Sequence, residues 1–416
     1  MRLSSLIFLI LIALFNGTAS SSAGPDAGVW VSDVRLGQNQ DHTRFVLRIS
    51  KKVSFEAFTL ADPYRIVVDF PELGWRVDPT TTQSALGLVK GFRYGLYKPG
   101  RSRMVVDLSR PAAIANKFLL PPDKAGDYRL VLDLVPTERS AYLATAGWPK
   151  EAEPTNTPID DADPPLSPNT SNRPLNNVPV IVIDPGHGGV DPGATGVSGY
   201  HEKDLVLALG RALGDALEST GRYRVILTRD QDIFLSLKAR VAVARKQQAD
   251  LFISVHADSA PGSGAKGASV YTLSEQASDR EAEKLARSEN QSDIIAGVDL
   301  TQEPDIVTSI LIDLAQRETK NNSVKFAQIL VPELQKVGDI THKSHRFAGF
   351  RVLKAPDIPS VLIEVGYLTN AMDESAMKTA WWRRGMAKAI ARSVDMYFKQ
   401  SRHDQNVDLR TGTVGQ

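Results

Sequence analysis

The stretch PVIVIDPGHGG, Pro179–Gly189, decides the fold. A run of β-branched and apolar residues stops in Asp-Pro-Gly, and a histidine set among glycines follows. That reads as a buried strand whose carboxyl end presents His187. Two later runs have the same form. LFISVHAD (Leu251–Asp258) stops at His256, and SVLIEVGYLTN (Ser360–Asn370) carries Glu364 late in its strand. A fourth motif, HEKD (His201–Asp204), opens a helix at Glu202 instead. Working outward, Leu205, Leu209, Leu213 and Leu217 recur at four-residue spacing and mark one face of a helix over Glu202–Glu218. Helices are also expected at Leu237–Gln247, around Ile306, Ile310 and Leu314, and at Thr379–Phe398. Strands are expected at Arg224–Thr228, Ala268–Leu273 and Phe350–Leu353. Residues 178–400 therefore read as an α/β domain with a largely parallel sheet and helices on both faces.

Ligands of such sheets collect at the carboxyl ends of the strands. His187, His256 and Glu364 all sit at or just past strand ends, and a glycine-rich loop leads from His187 to Glu202. The fold can bring all four to one rim. Two imidazoles and a carboxylate hold a zinc ion with a coordination position left open, and a second carboxylate serves as acid or base. A metal-dependent hydrolase is the leading reading. A single histidine beside a strand is more often a packing residue than a ligand; the coincidence of four groups reverses those odds. His201 competes with its neighbour Glu202. Glu202 alone can be an ordinary charge at a helix start. Glu364 is costly as pure structure, because a carboxylate within Val-Leu-Ile-Glu-Val needs a partner. The HExxH pattern is absent, since Leu205 stands where its second histidine belongs. The glycine-rich loop lacks the Gly-Lys-Ser/Thr ending of a phosphate cradle. His342 and His345 are expected in a polar, solvated loop.

The remaining chain frames this domain. Of 416 residues, 49 are basic and 48 acidic, a net charge of +1 that gives no reason to expect a nucleic-acid partner. There is no cysteine, so any metal must be held by His, Asp, Glu or backbone oxygen. Residues 1–23 read as a secretory signal: Arg2, the apolar run Leu6–Phe15, then small residues. Export by the general route is expected, and with it a periplasmic location. Residues 28–135 read as a small all-β sandwich, and three of its strands repeat a basic residue, three apolar residues and an Asp: Arg65–Asp69, Arg103–Asp107 and Arg129–Asp133. Residues 136–177 read as a proline-rich linker too poor in apolar residues to fold, so that the two domains move independently. Residues 401–416 read as a polar tail.

Together, DPGHGGVDPGATG, HEKDL, SVHADS and IEVGYLTN resemble the zinc-dependent N-acetylmuramoyl-L-alanine amidases of bacterial cell walls, over about Val178 to Lys399. The N-terminal strands resemble the AMIN domain that often precedes such amidases. The resemblance implies that His187, Glu202 and His256 are zinc ligands and Glu364 the catalytic carboxylate. The reaction it implies is cleavage of the amide between N-acetylmuramic acid and L-alanine of peptidoglycan. Asp184 and Asp258 are candidates to orient the ligating imidazoles. Amidases that act in cell division carry a helical insertion over the zinc until an activator removes it. The stretch 275–304 stands where that insertion belongs, with Glu275 the first choice for a blocking ligand and Glu281 and Glu289 behind it. If the stretch is such a plug, Ile306, Val307, Ile310, Leu311 and Leu314 form a stripe on which a protein activator can dock; the alternatives are a surface helix with solvated carboxylates and a stripe that packs on the sheet. The N-terminal domain is expected to bind the wall or a septal component. Two other functions compete: a zinc carboxypeptidase acting on stem peptides, and a non-catalytic wall-binding protein.

Overall fold

A computed structural model describes residues 28–40, 42–77, 85–98, 100–122, 126–147, 178–259, 264–296 and 310–411. The signal stretch 1–23 and most of the expected linker, 148–177, lie outside these residues.

The N-terminal domain is two packed sheets. One has the order β5-β1-β2-β9-β8, from β1 (Trp30–Asn39), β2 (His42–Ile49), β5 (Gly74–Trp75), β8 (Ala112–Leu120) and β9 (Tyr128–Pro136). The other has the order β3-β4-β7-β6, from β3 (Glu56–Leu60), β4 (Arg65–Pro71), β6 (Val89–Lys98) and β7 (Arg101–Leu108). Alternation places Phe45, Leu47 and Ile49 of β2 in one core with Ile66, Val68, Met104 and Val106 of the facing sheet. The repeated Asp has a physical reason. Asp69, Asp107 and Asp133 are each taken by an arginine of a neighbouring strand: Arg103, Arg93 and Arg44 respectively. Helix α1 (Arg139–Thr145) lies in the stretch read as linker, yet it packs on this domain. Its Tyr142 is buried in the core, and the hydroxyl lies 2.8 Å from Leu60 O and accepts Arg65 N at 3.1 Å.

The second domain is the expected α/β unit. Its sheet has the order β11-β10-β12-β15-β13-β14, built from β10 (Val180–Pro185), β11 (Arg224–Leu227), β12 (Leu251–His256), β13 (Ala268–Leu273), β14 (Ile340–Ala348) and β15 (Ser360–Glu364). All neighbours are parallel except β13 with β15. Helices α2 (Glu202–Glu218), α6 (Ile310–Gln335) and α8 (Ala380–Thr411) cover one face through Leu205, Leu209, Phe326, Leu330 and Ile390. Helices α3 (Leu237–Lys246) and α4 (Arg280–Glu289) cover the other, where Leu237 and Leu285 meet Val182 and Phe252. Short helices α5 (Ser292–Ile295) and α7 (Ala371–Met377) complete the set.

The edge differs from expectation. Arg351–Leu353 is a 3₁₀ turn, and the strand on that side is β14, which contains His342 and His345. An edge strand exposes polar side chains, so ITHKSHRFA reads as a loop in sequence; His345 Nε2 in fact lies 3.1 Å from Thr272 Oγ1. Helix α8 also runs past Ser401 to Thr411, through most of the expected polar tail.

The domains do not stand apart. Leu96 of β6 forms a parallel bridge with Ile233, and Phe234 N donates to Leu96 O at 3.3 Å. The rings of Tyr97 and Phe234 stack with centroids 6.1 Å apart. Independent motion was the expectation from linker composition; specific contacts between the folded units override it.

If α1 belongs to the N-terminal sandwich, Tyr142→Ala should lower that domain's unfolding free energy by about 3–5 kcal/mol, the usual range for truncating a buried aromatic. Denaturant unfolding followed by strand circular dichroism measures it. A change within about 0.5 kcal/mol would make α1 an appendage.

Candidate metal centre and active site

Sheet register builds the site. In the parallel ladder Pro185 lies opposite Val255, and His256 opposite Glu364. The ends of β10, β12 and β15 therefore form one rim, and the chain after β10 turns back across it. His187 sits in that turn with φ 55°, a conformation uncommon outside glycine. Two buried arginines hold the turn. Arg240 pairs with Asp184 at 2.8 Å and donates to Pro185 O at 2.8 Å and His187 O at 2.7 Å. Arg229 donates to Pro185 O at 3.0 Å and Gly186 O at 2.7 Å, and burial and Arg240 lower its guanidinium to about 10. Gly186 leaves room for the neighbouring imidazole: a Cβ there would lie 2.3 Å from His256 Cε1. At Gly193 it would lie 2.6 Å from both Glu202 Oε2 and His187 Cδ2.

Two carboxylates, Glu202 and Glu289, each approach the facing nitrogens of His187 and His256. His187 Nε2 lies 3.0 Å from Glu202 Oε1, and His256 Nδ1 lies 3.1 Å from the same oxygen. The two nitrogens are 3.2 Å apart. Glu289 Oε2, from the last turn of α4, is 3.2 Å from His256 Nδ1 and 3.6 Å from His187 Nε2. A tetrahedral centre with bonds of about 2.0–2.1 Å separates its ligand atoms by about 3.3 Å. The spacings of the two imidazoles to each other and to the two carboxylates are near that figure. His187, His256 and Glu289 have ligand atoms all within 4.8 Å of one another and so fit a divalent metal ion, and Glu202 approaches the same two nitrogens.

The charges agree with the distances. Asp191, Glu202, Glu289 and Glu364 lie buried or nearly so around two imidazoles, and no lysine or arginine nitrogen pairs with them in the described residues. Carboxylates gathered this way are costly without a cation. Burial, then the charges of Asp258, Glu202 and Glu289, hold the Glu364 carboxyl well above its usual range. Burial and Glu289 push Asp258 up to about 7. For His187, burial opposes protonation, but Glu202, Asp191 and Glu289 outweigh it and raise the imidazole. A dication at the donor atoms reverses these biases. Two acids go the other way: against burial, His187 holds the Asp191 carboxyl low, and Glu202 is the second. Burial works against its charge, yet both imidazoles hold its carboxyl low, and its oxygens also accept Ala257 N and Ala194 N, each at 2.8 Å.

His187, Glu202 and His256 thus converge as the motifs suggested, with Glu364 on the adjacent strand. His201 turns away toward Thr195 Oγ1 at 3.3 Å. Glu364 Oε2 accepts Asp258 N at 2.8 Å, while Oε1 is buried with no hydrogen-bond partner among the described residues. Neither acid expected to orient an imidazole does so. Asp184 is hydrogen-bonded to Thr228, Ser254 and Arg240, and the Asp258 carboxylate accepts Ser259 N. The acid on an imidazole is Asp191, which accepts His187 Nδ1–H at 2.9 Å and leaves Nε2 facing Glu202 and Glu289. Its position four residues after His187, in the same tight loop, was the available signal. Glu275 is exposed on the wall of a separate cleft between α4 and the end of β14, and does not join the donor atoms. Glu289, ranked behind it, does, because α4 starts at Arg280 and delivers its last turn, not its first, to the rim. The stripe Ile306, Val307, Ile310, Leu311 and Leu314 lies outside the residues whose side chains are described.

Comparison with known proteins identifies the family. The N-acetylmuramoyl-L-alanine amidase family model matches residues 181–396, and the AMIN domain model matches residues 31–119. N-acetylmuramoyl-L-alanine amidase AmiC of Escherichia coli is 33% identical over 375 residues, covering 88% of each chain. AmiC of Neisseria meningitidis is 32% identical over 375 residues, covering 88% of this chain and 89% of its own. Among solved structures, an N-acetylmuramoyl-L-alanine amidase of Nostoc punctiforme is 28% identical with a TM-score of 0.41, covering 54% of this chain and 98% of that one. With a metal-fitting group at the rim of its sheet and an AMIN domain ahead of it, the chain belongs to the N-acetylmuramoyl-L-alanine amidase family.

Proposed function

We propose that the protein is an exported, zinc-dependent peptidoglycan amidase, held idle by its own helical insertion until cell separation. The carrying observation is that the facing nitrogens of His187 and His256 lie 3.2 Å apart, each within 3.0–3.6 Å of a Glu202 oxygen and of an oxygen of Glu289, which comes from the insertion. His187, Glu202 and His256 are the permanent ligands in this reading, and Glu289 occupies the position that substrate needs. When bound, zinc supplies Lewis-acid polarisation of the amide carbonyl and a source of hydroxide at neutral pH.

The chain's residues supply the rest. Asp191 keeps the proton of His187 on Nδ1, so that Nε2 faces inward as a lone pair. Glu364 has one oxygen fixed by Asp258 N and the other free of partners, and its register partner is His256. That free oxygen takes a proton from the attacking water and returns it to the departing amine of L-alanine. An amine leaves poorly unless protonated, so one carboxyl serves both steps. Burial of the rim excludes competing water. The substrate amide lies between N-acetylmuramic acid and L-alanine, as the family's name implies. The organisation we propose is a signal at 1–23, a β-domain from 28 that binds the wall or a septal component, a linker and a catalytic domain at 178–400. It acts in the periplasm and is opened by a protein activator at 275–304.

Three results test this with loaded full-length protein, peptidoglycan and product masses. Glu364→Ala should keep its zinc while turnover falls about 10²–10⁴-fold; loss of metal instead would make Glu364 a ligand. Glu289→Ala should raise basal release of free stem peptides several-fold, and unchanged release would remove the autoinhibition. Asp191→Ala should weaken zinc affinity about 10–100-fold in chelator competition, whereas wild-type affinity would show that Asp191 does not support the ligand.

A further inference from the structure

The insertion is held by the catalytic domain at three points. Asn290 Nδ2 donates to Gly349 O at 2.8 Å, and Arg351 N donates to Asn290 Oδ1 at 2.7 Å. Ser292 Oγ donates to Asp191 Oδ2. Asp293 Oδ1 accepts Leu237 N at 2.9 Å. A fourth hold comes from the other domain. Arg103 of β7 is fully buried: it binds Asp69 through Nε and Nη2 at 2.5 and 2.7 Å, lies 3.6 Å over the Tyr97 ring, and donates through Nη1 to Ala296 O at 3.2 Å. Ala296 also packs with Val190, Phe234 and Tyr97 in one small apolar cluster. Three parts of the chain meet there: the N-terminal sheet, the loop after His187, and the insertion seven residues past Glu289.

The contact is close enough to demand glycine on both sides. A Cβ on Gly95 would fall 2.4 Å from Gly189 C, and a Cβ on Gly189, at φ +57°, would fall 2.1 Å from Leu96 O. Backbone therefore lies directly on backbone, two residues from His187. Lys203 Nζ on Gly189 O at 2.9 Å and Asp232 Oδ1 on Gly189 N at 2.7 Å fix the loop from the catalytic side.

We propose that the β6–β7 face of the N-terminal domain is a docking surface for the closed insertion, and that docking latches the insertion over the metal centre. This rests on the autoinhibited reading given above. The latch works because Ala296 O has its Arg103 donor, and the cluster its Tyr97, only while the domains are together. Docking and closure then favour one another, and such a coupling is reciprocal. Whatever draws the N-terminal domain away loosens the insertion, and whatever withdraws the insertion frees the N-terminal domain.

Gly95→Leu in the full chain is the test, because the nearest atoms to a new side chain there belong to the Gly189–Val190 backbone and not to the N-terminal core. Amide exchange by mass spectrometry and muropeptide release are measured beside wild type, Arg103→Met and Glu289→Ala. Gly95→Leu should speed exchange in residues 93–97 and 232–234, speed it at least fivefold in residues 285–296, and raise basal release at least fivefold, the low end of a typical coupling. Arg103→Met should move the same segments. Unchanged exchange in 285–296 with faster exchange at 93–97 would overturn the latch, as would unchanged exchange everywhere. If the insertion loosens in Gly95→Leu but Glu289→Ala leaves release unaltered, docking holds the insertion and the autoinhibited reading fails instead.

Discussion

Buried negative charge around two imidazoles is the constraint that organises the catalytic domain. Of the four carboxylates around His187 and His256, burial and mutual repulsion drive Glu364 and Glu289 toward protonation, while the imidazoles hold Asp191 and Glu202 low. The fold tolerates them because the rim is rigid. Arg229 and Arg240 spend their hydrogen bonds on Pro185, Gly186 and His187 carbonyls, so the turn presenting His187 stays in its unusual backbone state. Their charges also offset Asp184, whose carboxyl is held low by Arg240, Thr228 and Ser254 against its complete burial. These arginines touch no donor atom of the proposed centre. They determine where the donor atoms are.

Much of this was legible in sequence because strand ends are legible. An apolar run that halts at a histidine carries its own geometry: side-chain alternation and the parallel sheet put the halting residues on one rim. Glu364 was legible for the opposite reason, as a carboxylate in an otherwise apolar strand. What escaped depended on contacts between distant segments. Asp191 is four residues from His187, but its role follows from a loop bend that composition does not reveal. The choice of Glu289 over Glu275 turned on where α4 begins, set by Asp279, whose carboxylate accepts Ala282 N at the helix start. Edge strand β14 was read as a loop because its residues are polar. The docked domains were invisible from linker composition, which reports chain stiffness and not the fit between folded surfaces.

The insertion sits where three constraints meet. Glu289 lies beside both imidazoles, Ser292 bonds to the acid behind one of them, and Ala296 meets a buried arginine of the other domain. The hydrogen bonds at Ser292 and Ala296 are individually small, about 1 kcal/mol net each. Their value lies in cooperation: a segment held at several points moves away only when several contacts break together.

Asp191 gives the arrangement an asymmetry. Its Oδ2 receives hydrogens from both His187 and Ser292, and an oxygen divided between two donors polarises each less. On the autoinhibited reading proposed above, withdrawing Ser292 would leave that oxygen to the imidazole alone. His187 Nε2 would then be the more electron-rich donor, so a metal held there would be gripped more tightly by His187 as Glu289 left.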